Sequence, residues 1–364
     1  MKVLHIINNL SIGGAEKLLI ESIPLYSKSQ HAFDIVVLNG KKTPFLDQLK
    51  ETKSIKIYSL GNNSVYNPLM IFKIIPFLKK YDIIHVHLFP SLYWVAFAKI
   101  ISFSSTKLIY TEHSTSNRRR DSFLFSFIDK IVYQQYEFVV AITDEVLLNL
   151  TKHLNWTNNN NKFQVIQNGL NLEEIKNAKP YKKTLFFADK EVKILIQVAR
   201  FSEPKDQKTV INAVALLPTN FKLIFVGDGP LKSEAETLVS ELNLQESILF
   251  LGVRTDVLSL LKTADFVILS SKYEGLSLSC IEGMASGKPF IASNVPGLKE
   301  VVEGRGLLFE TGDFKALSNQ IKMLTDNKKF YDEIANSCLQ KAKQYDITTM
   351  ITQYINLYES IRKT

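Results

Sequence analysis

The sequence predicts two consecutive α/β domains, each a doubly wound parallel sheet. The chain has 364 residues, about twice a typical single domain and enough to bury two cores. Short β-branched runs alternate with longer helical patterns, the order that lays helices on both faces of a parallel sheet. The alternation stops at a polar stretch and then starts again.

In the first half, Lys2 to Ile7 reads as a buried strand ending in a Gly-containing loop, Asn8 to Gly14. A helical pattern covers Ala15 to Tyr26. Phe33 to Leu38 and Ile55 to Leu60 are strand-length apolar runs, Pro68 to Lys80 reads as a helix, and Ile83 to His87 is another strand. Leu108 to Thr111 and Phe138 to Ile142 follow, with helices before and between them. A polar break at Thr157 to Lys162 includes four consecutive Asn, then Phe163 to Ile166 forms a strand leading into Asn168-Gly169. The Lys- and Asn-rich stretch Lys176 to Lys183 reads as a linker.

Beyond it the pattern restarts. Strands are expected at Lys193 to Val198, Lys222 to Val226, Ile248 to Leu251, Phe266 to Leu269 and Phe290 to Ala292. Helices are expected at Asp206 to Leu217, Leu231 to Leu242, Val257 to Thr263, Ser279 to Ser286 and Lys315 to Thr325. The tail from Thr348 to Arg362 carries Met350, Ile351, Tyr354, Leu357, Tyr358 and Ile361, one face of a helix. The division expected is 1–168, 169–345 and a C-terminal helix over 346–364. Open α/β sheets bind ligands at the carboxyl ends of their strands, so two joined units are expected to face each other across a cleft. Neither half contains Gly-x-Gly-x-x-Gly, so neither is an ordinary NAD-binding unit.

Composition excludes several classes. With 46% hydrophobic and 22% charged residues the chain is neither disordered nor fibrous. Cys280 and Cys338 are too few for a disulfide framework, and Cys280 sits in an apolar run, so a reducing cytoplasm is the expectation. The apolar run after Met1 is too short for a signal-peptide core. No apolar stretch reaches membrane-spanning length; the longest candidate, Leu92 to Phe103, is interrupted by Lys99. The net charge of +8 is uneven: residues 1–185 carry 23 basic and 14 acidic side chains, residues 186–364 carry 21 and 22. That basic half suits a polyanion or an anionic membrane surface, and equally a merely solvated basic face.

Residues able to carry chemistry fall where strands end. Glu274 and Glu282 frame Glu274-Gly275-Leu276-Ser277-Leu278-Ser279-Cys280-Ile281-Glu282 after the strand Phe266 to Leu269. The amides of Gly275, Leu276 and Ser277 lie at a helix start, an anion site. Carboxylates beside such amides suit hydroxyl donors, as sugars and riboses offer, though helix-start glutamates are also favoured by the dipole alone. Arg200 and Lys205 follow the strand ending at Val198 and suit a diphosphate. Gly227-Asp228-Gly229-Pro230 makes a tight turn where a flat base can approach the backbone, or a plain strand-to-helix turn. Gly13-Gly14 opens a helix with exposed amides. His113 stands just past Leu108 to Thr111, and Asn8, His85 and His87 are weaker candidates of the same kind. No His/Cys/Asp spacing resembles a metal site, and no Ser-His-Asp order stands out.

Taken in order, Arg200, Lys205, Gly227-Asp228-Gly229-Pro230 and the Glu-x7-Glu pair Glu274 and Glu282 resemble the retaining glycosyltransferases of family 4, group 1, which have the GT-B fold. The resemblance covers nearly the whole chain. Two departures are small swaps: Ala199 where the family often has Gly, and Gly283 where it often has Ala. The resemblance implies two facing Rossmann-like domains with a nucleotide-sugar between them and no metal or other cofactor. It implies that Arg200 and Lys205 neutralise the donor diphosphate, Glu282 holds the ribose and Glu274 holds hydroxyls of the transferred sugar. Gly14 resembles the family's loop glycine at the donor, and His113 its cleft histidine near the reacting sugar.

The implied reaction passes a hexose-type sugar to an acceptor hydroxyl, by front-face attack. A polyprenyl-diphosphate-linked saccharide in cell-surface polysaccharide assembly is the expected acceptor. Arg118, Arg119 and Arg120 beside Phe123 to Phe127, with Trp94 and Phe97 in the same half, suit peripheral association with an anionic inner membrane face. A nucleotide-sugar epimerase of the same build is the alternative. A phosphorylase would want a cofactor lysine, for which no motif is present, and a lectin-like binder would not need a diphosphate clamp. The local pair of cations and the nearly neutral second half argue against a nucleic-acid binder.

Overall fold

Thirteen strands form two sheets in the computed structural model, which describes every residue except 12, 27–28, 53, 115–121, 157–160, 276 and 364. The side chains of 123, 124, 362 and 363 are likewise outside the description. The chain divides into two compact units. One comprises Met1–Gly169 with Ile347–Thr364, and the other comprises Leu170–Asp346.

The first unit holds β1 (Lys2–Ile7), β2 (Ala32–Val37), β3 (Ile57–Ser59), β4 (Ile83–His87), β5 (Lys107–Glu112), β6 (Phe138–Ala141) and β7 (Phe163–Val165). Their order is β3-β2-β1-β4-β5-β6-β7 and every pairing is parallel. The strands read as apolar runs because both faces are covered, and Val3, Leu4, Ile6, Ile7, Ile84 and Val86 are fully buried. The register sets His5 opposite His85 and His87 opposite Thr111.

The second unit holds β8 (Lys193–Val198), β9 (Phe221–Val226), β10 (Ile248–Phe250), β11 (Phe266–Leu269), β12 (Phe290–Ser293) and β13 (Leu307–Phe309). Their order is β10-β9-β8-β11-β12-β13, again all parallel. In both sheets the order reverses beside the first strand, between β1 and β4 and between β8 and β11, and a ligand crevice belongs at such a switch point.

The expected doubly wound class is therefore the observed one, with local differences. The helix Leu172–Asn177 runs into the first two residues of the stretch expected as a linker, Lys176 to Lys183, of which 178–182 have no regular structure. Asn171 caps that helix, its side chain accepting from the Glu174 N–H at 3.2 Å. Several elements are additional, among them the short helices Pro44–Lys50 and Lys299–Val302. β13 is a three-residue edge strand between Gly306 and Glu310, and the helix Lys328–Ala342 buries only Ala335, Cys338 and Ala342. The C-terminal helix Ile347–Lys363 buries Met350, Ile351, Tyr354, Leu357, Tyr358 and Ile361, the face that the apolar spacing marks out. Its tyrosines reach the first sheet: Tyr358 Oη lies 2.7 Å from His85 Nδ1, and Tyr354 Oη 3.1 Å from Thr111 Oγ1.

Candidate active site

In the second unit the loops after β8 and β11 are stitched together at the carboxyl edge. Lys205 and Ser271 form an antiparallel bridge, the Asp206 N–H donates to Ser270 O at 3.1 Å, and the Lys272 N–H donates to Pro204 O at 2.8 Å. That stitching carries Lys205 to Glu274, with which it forms an ion pair. Ser271 Oγ donates to the same carboxylate oxygen at 2.8 Å. Both partners are mostly shielded, with side-chain exposures of 17% and 11%. A carboxylate in that position is paired with its cation and fixed in direction by the hydroxyl.

Arg200, two residues past the end of β8, is exposed and makes no ion pair among the described residues. Its carbonyl accepts from Gln207 Nε2 at 3.1 Å, which fixes the backbone while leaving the guanidinium to solvent. Of the two expected diphosphate cations, then, Arg200 is open and Lys205 is shared with Glu274. An ammonium has three N–H donors, so Lys205 can hold Glu274 and a phosphate oxygen together.

Gly227 follows β9 with φ +135°, and a Cβ there would lie 2.1 Å from the Ala199 carbonyl oxygen. The close approach that demands glycine is thus made by the loop carrying Arg200. Gly275 precedes the helix Leu278–Ala285, and Ser277 is its extended N-cap with no side-chain capping bond. Leu276 lies outside the described residues. Glu282, in the middle of that helix, is only 4% exposed. Cys280 is fully buried, and burial pushes its thiol well up, which suits a packing role.

Two supports lay beyond the motif. Ser293 Oγ, at the end of β12, accepts the Ser271 N–H at 2.8 Å. Gly297 adopts φ +84° against the Glu274 backbone, where a Cβ would lie 2.3 Å from the Glu274 carbonyl oxygen. A glycine after an Asn-Val-Pro turn was the available sequence signal, but it names no partner.

In the first unit, Gly14 is the first residue of the helix Gly14–Tyr26 and is exposed. His113 stands just past β5, half-buried, with Nε2 3.3 Å from His87 Nδ1. Burial pushes its pKa down to about 4, so the ring is neutral near pH 7. Asn8 buttresses the neighbouring loop: its Nδ2 donates to Phe89 O at 2.7 Å and its Oδ1 accepts from Ser91 Oγ at 2.7 Å. His5, absent from the sequence candidates, joins His85 and His87 in the one trio of nitrogens lying within 4.8 Å of one another among the described residues. The signal was its place opposite His85 in parallel register. Arg118, Arg119 and Arg120 lie outside the described residues.

A profile of the family described as glycosyl transferases group 1 matches residues 182–344, and one of glycosyltransferase family 4 matches residues 12–174. An N-acetyl-alpha-D-glucosaminyl L-malate synthase of Bacillus anthracis is 28% identical over 77% of this chain and 75% of its own. A Campylobacter jejuni protein is 24% identical over 93% of this chain and 94% of its own. Its name is N-acetylgalactosamine-N,N'-diacetylbacillosaminyl-diphospho-undecaprenol 4-alpha-N-acetylgalactosaminyltransferase. Among solved structures, Anabaena HepE in complex with UDP superposes with a TM-score of 0.83 at 22% identity, over 99% of this chain and 100% of that one. WaaG, a glycosyltransferase involved in lipopolysaccharide biosynthesis, superposes at 0.72 with 15% identity, over 98% and 99%.

Proposed function

The chain belongs to the group 1 glycosyltransferases of family 4, and on that footing we propose that it moves a hexose-type sugar, with retention, from a nucleoside-diphosphate sugar to a hydroxyl of a polyprenyl-diphosphate-linked saccharide. The observation that carries this is the Lys205–Glu274 pair with Arg200 open beside it at the carboxyl edge of β8 and β11. A clamp of two cations suits a diphosphate, and a fixed carboxylate suits sugar hydroxyls.

In this proposal Arg200, Lys205 and the amides of Gly275, Leu276 and Ser277 stabilise the diphosphate. Glu274 orients the transferred sugar, Glu282 accepts from the ribose, and Gly227 shapes the base side. The role proposed for Gly14 is donor binding, and that for His113 is contact near the reacting sugar. The bond from the anomeric carbon to the diphosphate breaks with oxocarbenium character. The acceptor oxygen bonds to the same face, and its proton passes to the departing diphosphate oxygen. Negative charge grows on that leaving group, so the preorganised cations act where they lower the barrier.

The acceptor class is supported by relatives whose names specify undecaprenol-diphosphate substrates, the Campylobacter jejuni protein among them. None of the observations favours an epimerase. Among the described residues no helix is long and apolar enough to cross a membrane. The bilayer contact in this proposal is peripheral, on the cytoplasmic face. Phe103, 95% exposed after the helix Ser91–Ser102, and Phe127, 63% exposed, suit such contact. Trp94 and Phe97 do not, because both pack against the first unit's core.

Incubation with UDP-, GDP- and ADP-sugars and a polyprenyl-diphosphate-linked monosaccharide tests the proposal by mass spectrometry. One added sugar on the lipid, with release of a nucleoside diphosphate, is expected. Sugar interconversion without acceptor would overturn it.

A further inference from the structure

Four histidines stand on one face of the first sheet. Parallel register puts His5 beside His85, and the two-residue repeat of a strand brings His87 to the same face, with His113 past the end of β5. Leu18, Leu19, Tyr26, Met350 and Tyr354 cover them.

These rings form two networks. His85 is closed off, with Nδ1 2.7 Å from Tyr358 Oη and Nε2 2.7 Å from Thr111 Oγ1. The other three run in single file. His5 Nδ1 lies 3.0 Å from His87 Nε2, and His87 Nδ1 lies 3.3 Å from His113 Nε2. At the inner end His5 Nε2 is buried without a partner, and His5 lines a cavity of about 20 Å³.

A neutral imidazole has one N–H and one lone pair. Each contact in the file needs one of each, so the three tautomers are locked together. If His5 carries its proton on Nδ1, so must His87, and so must His113; the reverse order puts all three protons on Nε2. The inner end decides between them. A buried N–H without an acceptor is rarer than an acceptor without a donor, so His5 Nε2 is the bare nitrogen and the file points outward. Burial holds His5 down to about 3 and His87 well below its ordinary value, which keeps each ring at one proton.

We propose that His5 and His87 are positioning residues that hold His113 as its Nδ1–H tautomer, so that His113 meets its ligand as a hydrogen-bond donor and not as a base. The ligand chemistry is an oxygen acceptor, a sugar hydroxyl or a phosphate oxygen. The role in transfer rests on the placement of His113 in the proposed site; the tautomer order does not.

The test is long-range proton–nitrogen correlation spectroscopy of the full chain with ¹⁵N-labelled histidine. Single substitutions assign the rings, since the chain has 6 His. Wild type is expected to show protonated Nδ1 and bare Nε2 on His5, His87 and His113. His5→Leu is expected to release His113 into a tautomer mixture and to lower kcat by about ten-fold, the loss of one hydrogen bond's worth of order. His5→Asn, whose amide can donate near the old Nδ1 position, is expected to restore both. A wild-type His113 protonated on Nε2 would overturn the proposal even if His5→Leu fails to fold. So would a His113 tautomer indifferent to His5→Leu. If the tautomers are as expected but His113→Ala transfers sugar at the wild-type rate, the positioning role falls and the tautomer order stands.

Discussion

Lys205 and Glu274, 69 residues apart in sequence, form an ion pair where the loops after β8 and β11 meet. The pair joins the residue expected at the diphosphate to the residue expected at the sugar, so the two ends of the proposed donor site are one electrostatic unit before any ligand arrives. Lys205→Ala leaves a largely shielded carboxylate without its cation. It is expected to cost about 2 kcal/mol of stability, between the exposed-pair and buried-pair limits. Because it also removes charge stabilisation of the leaving group, kcat is expected to fall by about 10²–10³. Denaturant unfolding and single-turnover kinetics check the two effects separately.

Gly297→Ala tests the support behind Glu274. The substitution puts a side chain at φ +84° and drives Cβ against the Glu274 carbonyl. A loss above about 1 kcal/mol is expected from the backbone alone, with a raised donor KM because the Glu274 loop must shift. Unchanged stability and an unchanged KM would show that the loop does not need this contact.

Tyr358→Phe removes the hydroxyl facing His85 Nδ1 and leaves a buried nitrogen unpaired. About 1–3 kcal/mol should be lost. Hydrogen exchange is expected to speed up over Ile347–Lys363 and β4, with no comparable change in β8–β13.

The fold was legible where one element carries a complete signal. Lys193–Val198 and Phe266–Leu269 are apolar runs of strand length, and the tail's spacing names the buried face of its helix. It was not legible where the signal is short or faint. Leu307–Phe309 is too brief to count as a run, and Lys328–Ala342 hides its packing stripe in small residues among charges. The Glu-x7-Glu pair stood out because it is local. Its bond to Lys205, the glycine behind it and the file behind His113 each depend on which strands become neighbours.

Acid should destabilise the first unit. An unfolded histidine takes up a proton near pH 6.5, whereas burial holds His5 to about 3 and His113 to about 4, with His85 and His87 well below their ordinary value. Between those limits the unfolded chain binds more protons, so stability is complete above about pH 6.5 and falls as pH drops toward 4. Each ring contributes roughly 1 kcal/mol per pH unit. Urea midpoints measured from pH 7.5 to 5 should fall steeply, and His5→Asn should make the slope shallower by one proton.

The most direct measurement is calorimetric titration of the full chain with UDP, GDP and ADP, repeated on Arg200→Ala and Glu282→Ala. One nucleotide should bind wild type, and both variants should lose that binding while remaining folded. If none of the three binds wild type, or if the variants bind as wild type does, the donor site is not at the carboxyl edge of β8 and β11.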